Sequence, residues 1–291
     1  MDEFECPSGL KNNACTFSAI RGSVRDATSV GVKKCQECSL VIHSESLTHL
    51  VNYESGSMSN WWGGLNDRMN KPLVDIERRF DSIIQLSKTF FIDRVLDFGS
   101  GDGQMIKKFC ESFHAEGLEP EKSAREICLK AGVRVHPDIE TIKKTGETFD
   151  AISMFHVIEH VYQPSDLLRQ LKGLLRPNGL LFIETPNSMD ALLTIYECVQ
   201  FQNFTYWSHH PMLYSPAALS TLVERSGFKI IEAAGIQRYG LENHMHWLAK
   251  GLPGGHEVWR DLFSSEVNRE YALSLNKIGV SDTLWLVAIN A

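Results

Sequence analysis

The chain has 291 residues, 43% of them apolar, enough to bury a full core in one large domain with an appendage. Its 36 acidic against 29 basic side chains give a formal charge of −7, which argues against broad attraction to nucleic acid or to an anionic membrane surface. No apolar run approaches the roughly 20 residues of a membrane span, Met1 is followed by the acidic Asp2-Glu3-Phe4-Glu5, and the seven scattered cysteines suit free thiols or a metal site better than a disulfide framework, so a cytoplasmic location is expected.

Residues 1–50, rich in Cys, Ser, Lys and Gly, read as a small module. Residues 51–92 read as a connector and a lead-in helix: 53–64 are polar around Trp61-Trp62, and Leu73, Ile76, Phe80, Ile83, Ile84 and Leu86 then recur at helical spacing. From 93 to 291 strands alternate with helices. Apolar strands are expected at 94–98, 115–118, 133–135, 149–154, 180–184, 229–233 and 284–289, with helices over 104–113, 121–131, 165–175 and 216–226. The stretch 237–279, mostly helical and rich in Gly and His, reads as an insertion before the last strand. The expected fold class is therefore α/β, a doubly wound, mostly parallel seven-stranded sheet with a small N-terminal Cys-containing module.

The loop Asp97-Phe98-Gly99-Ser100-Gly101-Asp102-Gly103 sits directly between a strand and a helix, where alternate glycines let backbone approach a ligand closely. A dinucleotide fingerprint would place its third glycine where Gln104 stands, and Asp102 would collide electrostatically with a pyrophosphate, so a nucleoside without phosphates suits the loop better. Glu119, at the end of the second strand, is placed to accept hydrogen bonds from a ribose diol.

The segments 95–103, Gly117-Leu118-Glu119-Pro120, Phe149-Asp150-Ala151-Ile152 and Leu174-Leu175-Arg176-Pro177-Asn178-Gly179 together resemble the class I S-adenosylmethionine-dependent methyltransferases over residues 94–233. The resemblance implies a Rossmann-like fold and S-adenosylmethionine as cosubstrate. It implies that Asp97, Gly99, Ser100, Gly101 and Gly103 surround the methionine part, that Glu119 and the adjoining Pro120 border the ribose, and that Asp138-Ile139 border the adenine. Phe155 and His156, just past the fourth strand, would line the sulfonium side.

His156 and His160 stand four apart, as two ligands on one helix face would, yet Glu159 does not complete a zinc-protease pattern. The segment Tyr206-Trp207-Ser208-His209-His210-Pro211 precedes a helix and is similar to one in sugar methyltransferases whose His acts as base, which implies His210 in that role. Arg238-Tyr239-Gly240-Leu241-Glu242-Asn243-His244-Met245-His246-Trp247 mixes charge, hydrogen-bonding groups and aromatic surface; it suits either a polar acceptor or a helical packing face.

Cys35 and Cys38, spaced as a metal-binding pair, lie downstream of Cys6 and Cys15, and the four thiolates could complete a structural zinc site. The stretch 35–42 is similar to the N-terminal zinc modules of bacterial sugar and surface-polysaccharide methyltransferases. Cys110, Cys128 and Cys198 are expected to be buried in helices. The expected activity is methyl transfer to a small polar acceptor, a sugar, nucleotide sugar or glycan precursor. A quinone-like acceptor is the alternative. A noncatalytic protein whose zinc module engages a partner is the alternative of another class; nucleic acid is disfavoured by the acidic balance.

Overall fold

The computed structural model describes residue 6 and residues 15–50 and 73–291, so the connector expected over 53–64 lies outside the described residues. Among the described residues the strands form two sheets. In chain order come β1 (Phe17–Val24), β2 (Ala27–Cys35), β3 (Val41–His43) and helix α1 (Leu73–Ser87), then β4 (Arg94–Phe98), α2 (Gln104–Phe109), β5 (His114–Leu118), α3 (Lys122–Lys130), β6 (Val135–His136), α4 (Ile139–Thr145) and β7 (Phe149–Phe155). There follow α5 (Pro164–Leu174), β8 (Leu175–Pro186), α6 (Ala191–Thr194), α7 (Val199–Thr205), β9 (Met212–Leu213), α8 (Pro216–Arg225) and β10 (Lys229–Ile236). The chain ends with α9 (Leu241–Lys250), α10 (Gly255–Val258), α11 (Ser265–Lys277) and β11 (Thr283–Ile289).

The large sheet has the order β10-β11-β8-β7-β4-β5-β6, and β11 runs antiparallel to both neighbours while the β8-β7-β4-β5-β6 pairings are parallel. This is the expected doubly wound, mostly parallel sheet. A sheet covered on both faces needs strands apolar on both faces. Val95, Ala151, Leu180 and Phe182 pack on one side with Phe80, Ile83 and Phe109, while Leu96, Ile152, Leu181 and Ile183 pack on the other with Leu168 and Leu171. The predicted stripe Leu167, Leu168, Leu171 and Leu174 is buried.

Helix α5 ends at Leu174, and β8 begins at Leu175, five residues before the expected strand start. Leu175 pairs with Phe149, the register then shifts, and Asn178 adopts φ 63° with its N–H bonded to the Asn290 carbonyl at 2.7 Å. Pro177 in this stretch has no N–H to donate, so the turn read from sequence is an irregularity within the strand rather than a break before it.

The smaller sheet was legible only in part. β1, β2 and β3 pair antiparallel, and the last partner of β3 is β9, which lies beyond five strands of the large sheet in sequence. The Oγ of Ser188 donates to the Ser39 carbonyl at 2.8 Å, the Ser208 N–H donates to Asp26 Oδ1 at 3.0 Å, and the Ser215 Oγ donates to the Cys38 carbonyl. The N-terminal strands are thus stitched to the segment between β8 and α8. The expected insertion is present as α9, α10 and α11 between β10 and β11. No helix among the described residues is long and apolar enough to cross a membrane.

Candidate functional site

In a doubly wound sheet, ligands bind beyond the carboxyl ends of the strands where the order reverses. Here that point lies between β4 and β7, and it brings together the glycine loop and the His156 segment.

Gly99, Gly101 and Gly103 all have left-handed φ, of 79°, 55° and 80°. A Cβ on Gly99 would lie 2.5 Å from Val157 Cγ2, so the loop after β7 packs against it, whereas a Cβ on Gly101 would meet nothing within 4 Å. The open side of Gly101 is a cradle with room for a ligand. The Gly101 N–H donates to Glu119 Oε2 and the Glu121 N–H to Glu119 Oε1, each at 2.8 Å. Glu119 is thereby fixed across the loop, its carboxylate held beside the open side of Gly101. Ser100 is buried and its Oγ has no hydrogen-bond partner, a polar atom that a ligand in the cradle would satisfy. Asp97 is buried and accepts from Ser153 Oγ at 2.7 Å. Burial pushes its carboxyl up to about 6, the Glu119 charge adding to the rise while Ser153 and Arg79 oppose it. A buried acid of this kind is suited to meet a cationic group such as a ligand ammonium.

Asp138 is exposed and caps α4, accepting from the Thr141 N–H at 2.7 Å and Thr141 Oγ1 at 2.8 Å. Those bonds hold its carboxyl below the usual range. Ile139 is partly buried against the core, and Pro120 borders the loop beside Glu119.

On the other side of the switch point, Phe155 stacks on Trp285 at 6.0 Å and lies under the Arg79 guanidinium at 4.7 Å. His156 has φ 56°, unusual for a residue with a Cβ. Its Nδ1 is 3.3 Å from Glu159 Oε1, its Nε2 is 3.3 Å from Glu184 Oε1, and Arg238 Nη1 is 3.1 Å from Nε2. Glu184 also accepts from Arg78 at 2.7 Å and from Arg79 Nε at 3.1 Å. Burial alone would raise both carboxyls. The His156 bond and charge hold Glu159 at about 2, and His156 with Arg79 holds Glu184 well below the ordinary carboxylate range.

The half-buried His160 and His210 cluster with the buried Glu159, the two rings 4.7 Å apart. Burial, with the neighbouring His160 charge, pushes the His210 imidazole well below its usual range. The segment that helped name His210 as a base therefore delivers a ring held neutral in the interior. The third cluster divides: Arg238 reaches His156, whereas Glu242, Asn243, His244, His246 and Trp247 are buried on α9, where His244 Nδ1 meets the Tyr271 hydroxyl at 2.7 Å.

The sequence reading missed Asp75, Arg78 and Arg79, which α1 lays over the site; Asp75 also holds Arg238 at 2.9 Å from Nε. The signal available was a pair of arginines beside the apolar stripe of the lead-in helix. Cys6 Sγ lies 3.6 Å from Cys35 Sγ and 3.5 Å from Cys38 Sγ, while Cys15 clusters with Cys35 and Glu37. Cys128 and Cys198 are buried as expected, but Cys110, at the end of α2, is exposed.

A mostly parallel sheet with an antiparallel seventh strand, an alternating glycine loop and an acid fixed across it define a nucleoside-binding α/β enzyme. The chain belongs to the methyltransferase domain family, whose model matches residues 66–233. It is an S-adenosylmethionine-dependent methyltransferase. Among relatives, a ubiquinone biosynthesis O-methyltransferase of Aeromonas salmonicida is 28% identical over 211 residues, 68% of this chain and 87% of the relative. One from Yersinia enterocolitica with the same name is 32% identical over 139 residues, 44% of this chain and 57% of the relative. The solved structure of a SAM-dependent methyltransferase from Archaeoglobus fulgidus shares the fold, with TM-score 0.53 and 19% identity over 80% of this chain and 97% of that one.

Proposed function

We propose that this methyltransferase methylates a hydroxyl oxygen of a small acceptor, a quinol- or catechol-like aromatic, with His156 as general base. The observation that carries the reading is the seat of His156 between two buried carboxylates at the switch point. Arg238 donates to Nε2, so the neutral ring carries its proton on Nδ1, toward Glu159, and Nε2 becomes the basic atom when the acceptor hydroxyl takes the place of the Arg238 N–H. S-adenosylmethionine supplies an electrophilic methyl group on a cationic sulfonium. A carbon–oxygen bond forms on the acceptor, the carbon–sulfur bond breaks with its electron pair left on sulfur, and the hydroxyl proton goes to His156. Glu159 and Glu184 stabilise the imidazolium so formed. Asp97, Ser100, Gly101 and Glu119 hold the cosubstrate, with Phe155 and the Asp138-Ile139 segment at its margins.

The aromatic acceptor is favoured by the names of the two relatives and by the insertion, which turns its polar groups inward and leaves Met245, Leu248, Leu252, Val258 and Leu262 exposed. A sugar-linked acceptor is the second reading. It is favoured by the cysteine cluster, whose sulfur separations of 3.5 and 3.6 Å fit the edges of a zinc tetrahedron with bonds of ~2.3 Å. Cys6, Cys15, Cys35 and Cys38 would hold that ion as a structural element.

Purified protein with methyl-labelled cosubstrate, offered catechols, quinols and nucleotide sugars in parallel, separates the readings: label on a ring hydroxyl supports the first, label only on nucleotide sugars replaces it with the second. His156→Gln is expected to lower turnover by roughly 100-fold or more while S-adenosylhomocysteine binding persists. Turnover within threefold of the parent would remove His156 as base.

A further inference from the structure

Glu159, His160 and His210 each offer one ligand atom, and these atoms lie within 4.8 Å of one another. The three come from two parts of the chain: Glu159 and His160 from the turn after β7, His210 from the segment before β9. Their surroundings prepare them for a common ligand. Glu159 is fully buried; Oε2 accepts from Thr185 Oγ1 at 2.9 Å, but Oε1 accepts no well-formed hydrogen bond, with only His156 Nδ1 near it at 3.3 Å. Nδ1 of His210 is likewise buried without a partner. A buried carboxylate oxygen met only by one imidazole at 3.3 Å, and a buried imidazole nitrogen with no partner, are costly unless a ligand completes them.

His160 supplies the third element. Its Nδ1 stands 2.6 Å from the His209 carbonyl, which can only accept, so the ring proton is on Nδ1 and the lone pair on Nε2. A histidine whose second nitrogen donates to a backbone carbonyl is oriented as metal-ligating histidines are. The Thr185 bond does the same for the Glu159 carboxylate. Trp207 walls the cluster, 5.1 Å from the His210 ring and 6.4 Å from the His160 ring, and limits access by water.

We propose that Glu159, His160 and His210 form a divalent transition-metal site of two imidazoles and one carboxylate, beside the His156 base. Such a donor set leaves open coordination positions and suits Mn, Fe, Co or Zn ions rather than Ca. Its role rests on the acceptor reading above: a hydroxyl presented to the cation would be more acidic, and so easier for His156 to deprotonate.

The test measures binding, not turnover. Mn²⁺ is the probe because it prefers nitrogen and oxygen over the thiolates of the cysteine cluster; its free concentration is read by electron paramagnetic resonance in titrations of the full chain. One Mn²⁺ per chain is expected. Glu159→Gln and His210→Gln should each weaken it at least tenfold while S-adenosylhomocysteine affinity stays within threefold, which also reports that the variants fold. His160→Asn serves in place of any variant that loses that affinity. Absence of Mn²⁺ binding, or binding indifferent to the substitutions, overturns the site. Mn²⁺ binding without any methyl uptake by hydroxylated acceptors would instead keep the site and remove the acceptor reading.

Discussion

Glu119 gives the sharpest test of how the loop after β4 holds its ligand. Both carboxylate oxygens are engaged by backbone N–H groups, Oε1 by Glu121 and Oε2 by Gly101, at 2.8 Å each. In Glu119→Gln the side-chain amide must turn its NH₂ toward one of these donors. In the free variant the displaced loop relaxes into water; to bind, it must return with a donor unpaired, at a cost of roughly 1–3 kcal/mol, and one charge-assisted ribose bond is lost at roughly 1.5–3 kcal/mol. Even the low ends together come to about 2.5 kcal/mol, a rise in Kd of roughly 50- to 100-fold. Calorimetric titration with S-adenosylhomocysteine measures it directly, and Glu119→Ala should weaken binding by well over tenfold as well. An affinity for Glu119→Gln within threefold of the parent, with an unchanged melting temperature, would refute the assignment of Glu119 to the ribose.

Gly99→Ala combines a left-handed backbone cost of about 1–2 kcal/mol with a Cβ placed 2.5 Å from Val157 Cγ2. Differential scanning fluorimetry should show a melting temperature lower by something on the order of 5–15 °C; a loss under about 2 °C would mean that the loop after β7 does not press on Gly99. Asp97 titrates near 6 in the folded protein, above its ordinary value, so its protonation stabilises the free fold at low pH and that contribution is lost as pH rises through about 6. A cationic ligand group needs the ionised form, so S-adenosylhomocysteine affinity should climb across the same interval, and Asp97→Asn should flatten the climb; a profile unchanged by the substitution would exclude Asp97 as the titrating partner. Protein purified without chelator should carry about one zinc per chain at the cysteine cluster, lost in Cys38→Ser. Elemental analysis finding less than about half an equivalent in the parent protein would end the zinc reading.

The doubly wound sheet was legible because each of its parts is written locally. Strand β4, the glycines after it and the start of α2 are contiguous, and Glu119 follows the next strand within a fixed span, so spacing alone could bring Gly101 and Glu119 to one place. The four-residue run Leu180-Leu181-Phe182-Ile183 likewise reveals a strand buried on both faces without any knowledge of its neighbours. The smaller sheet could not be read this way, because Val41 and Ile42 find their last partners at Leu213 and Met212, and nothing in either segment specifies a pairing across that distance.

The same limit explains why the chemistry of the site was harder to see than its cosubstrate loop. His156 stood out for its place after β7, but its setting depends on Glu184 from the adjacent strand, Arg238 from the entrance to the insertion, and Asp75, Arg78 and Arg79 from a helix read only as amphipathic. On α1 those charged residues look like an ordinary solvated face; they become site residues because the helix lies across the strand ends and Glu184 is buried there. The misleading signal in the α9 part of the 238–247 segment has the opposite cause. His244 is a polar side chain satisfied inside the fold by Tyr271, which itself bonds Tyr196 at 2.9 Å, and composition cannot distinguish a polar group turned toward a ligand from one turned toward its neighbours. What separates the two is convergence: Glu159, His160 and His210 bring ligand atoms within 4.8 Å of one another, whereas His244 and His246 on α9 are each taken up by a different neighbour, the Tyr271 hydroxyl and the Leu252 carbonyl.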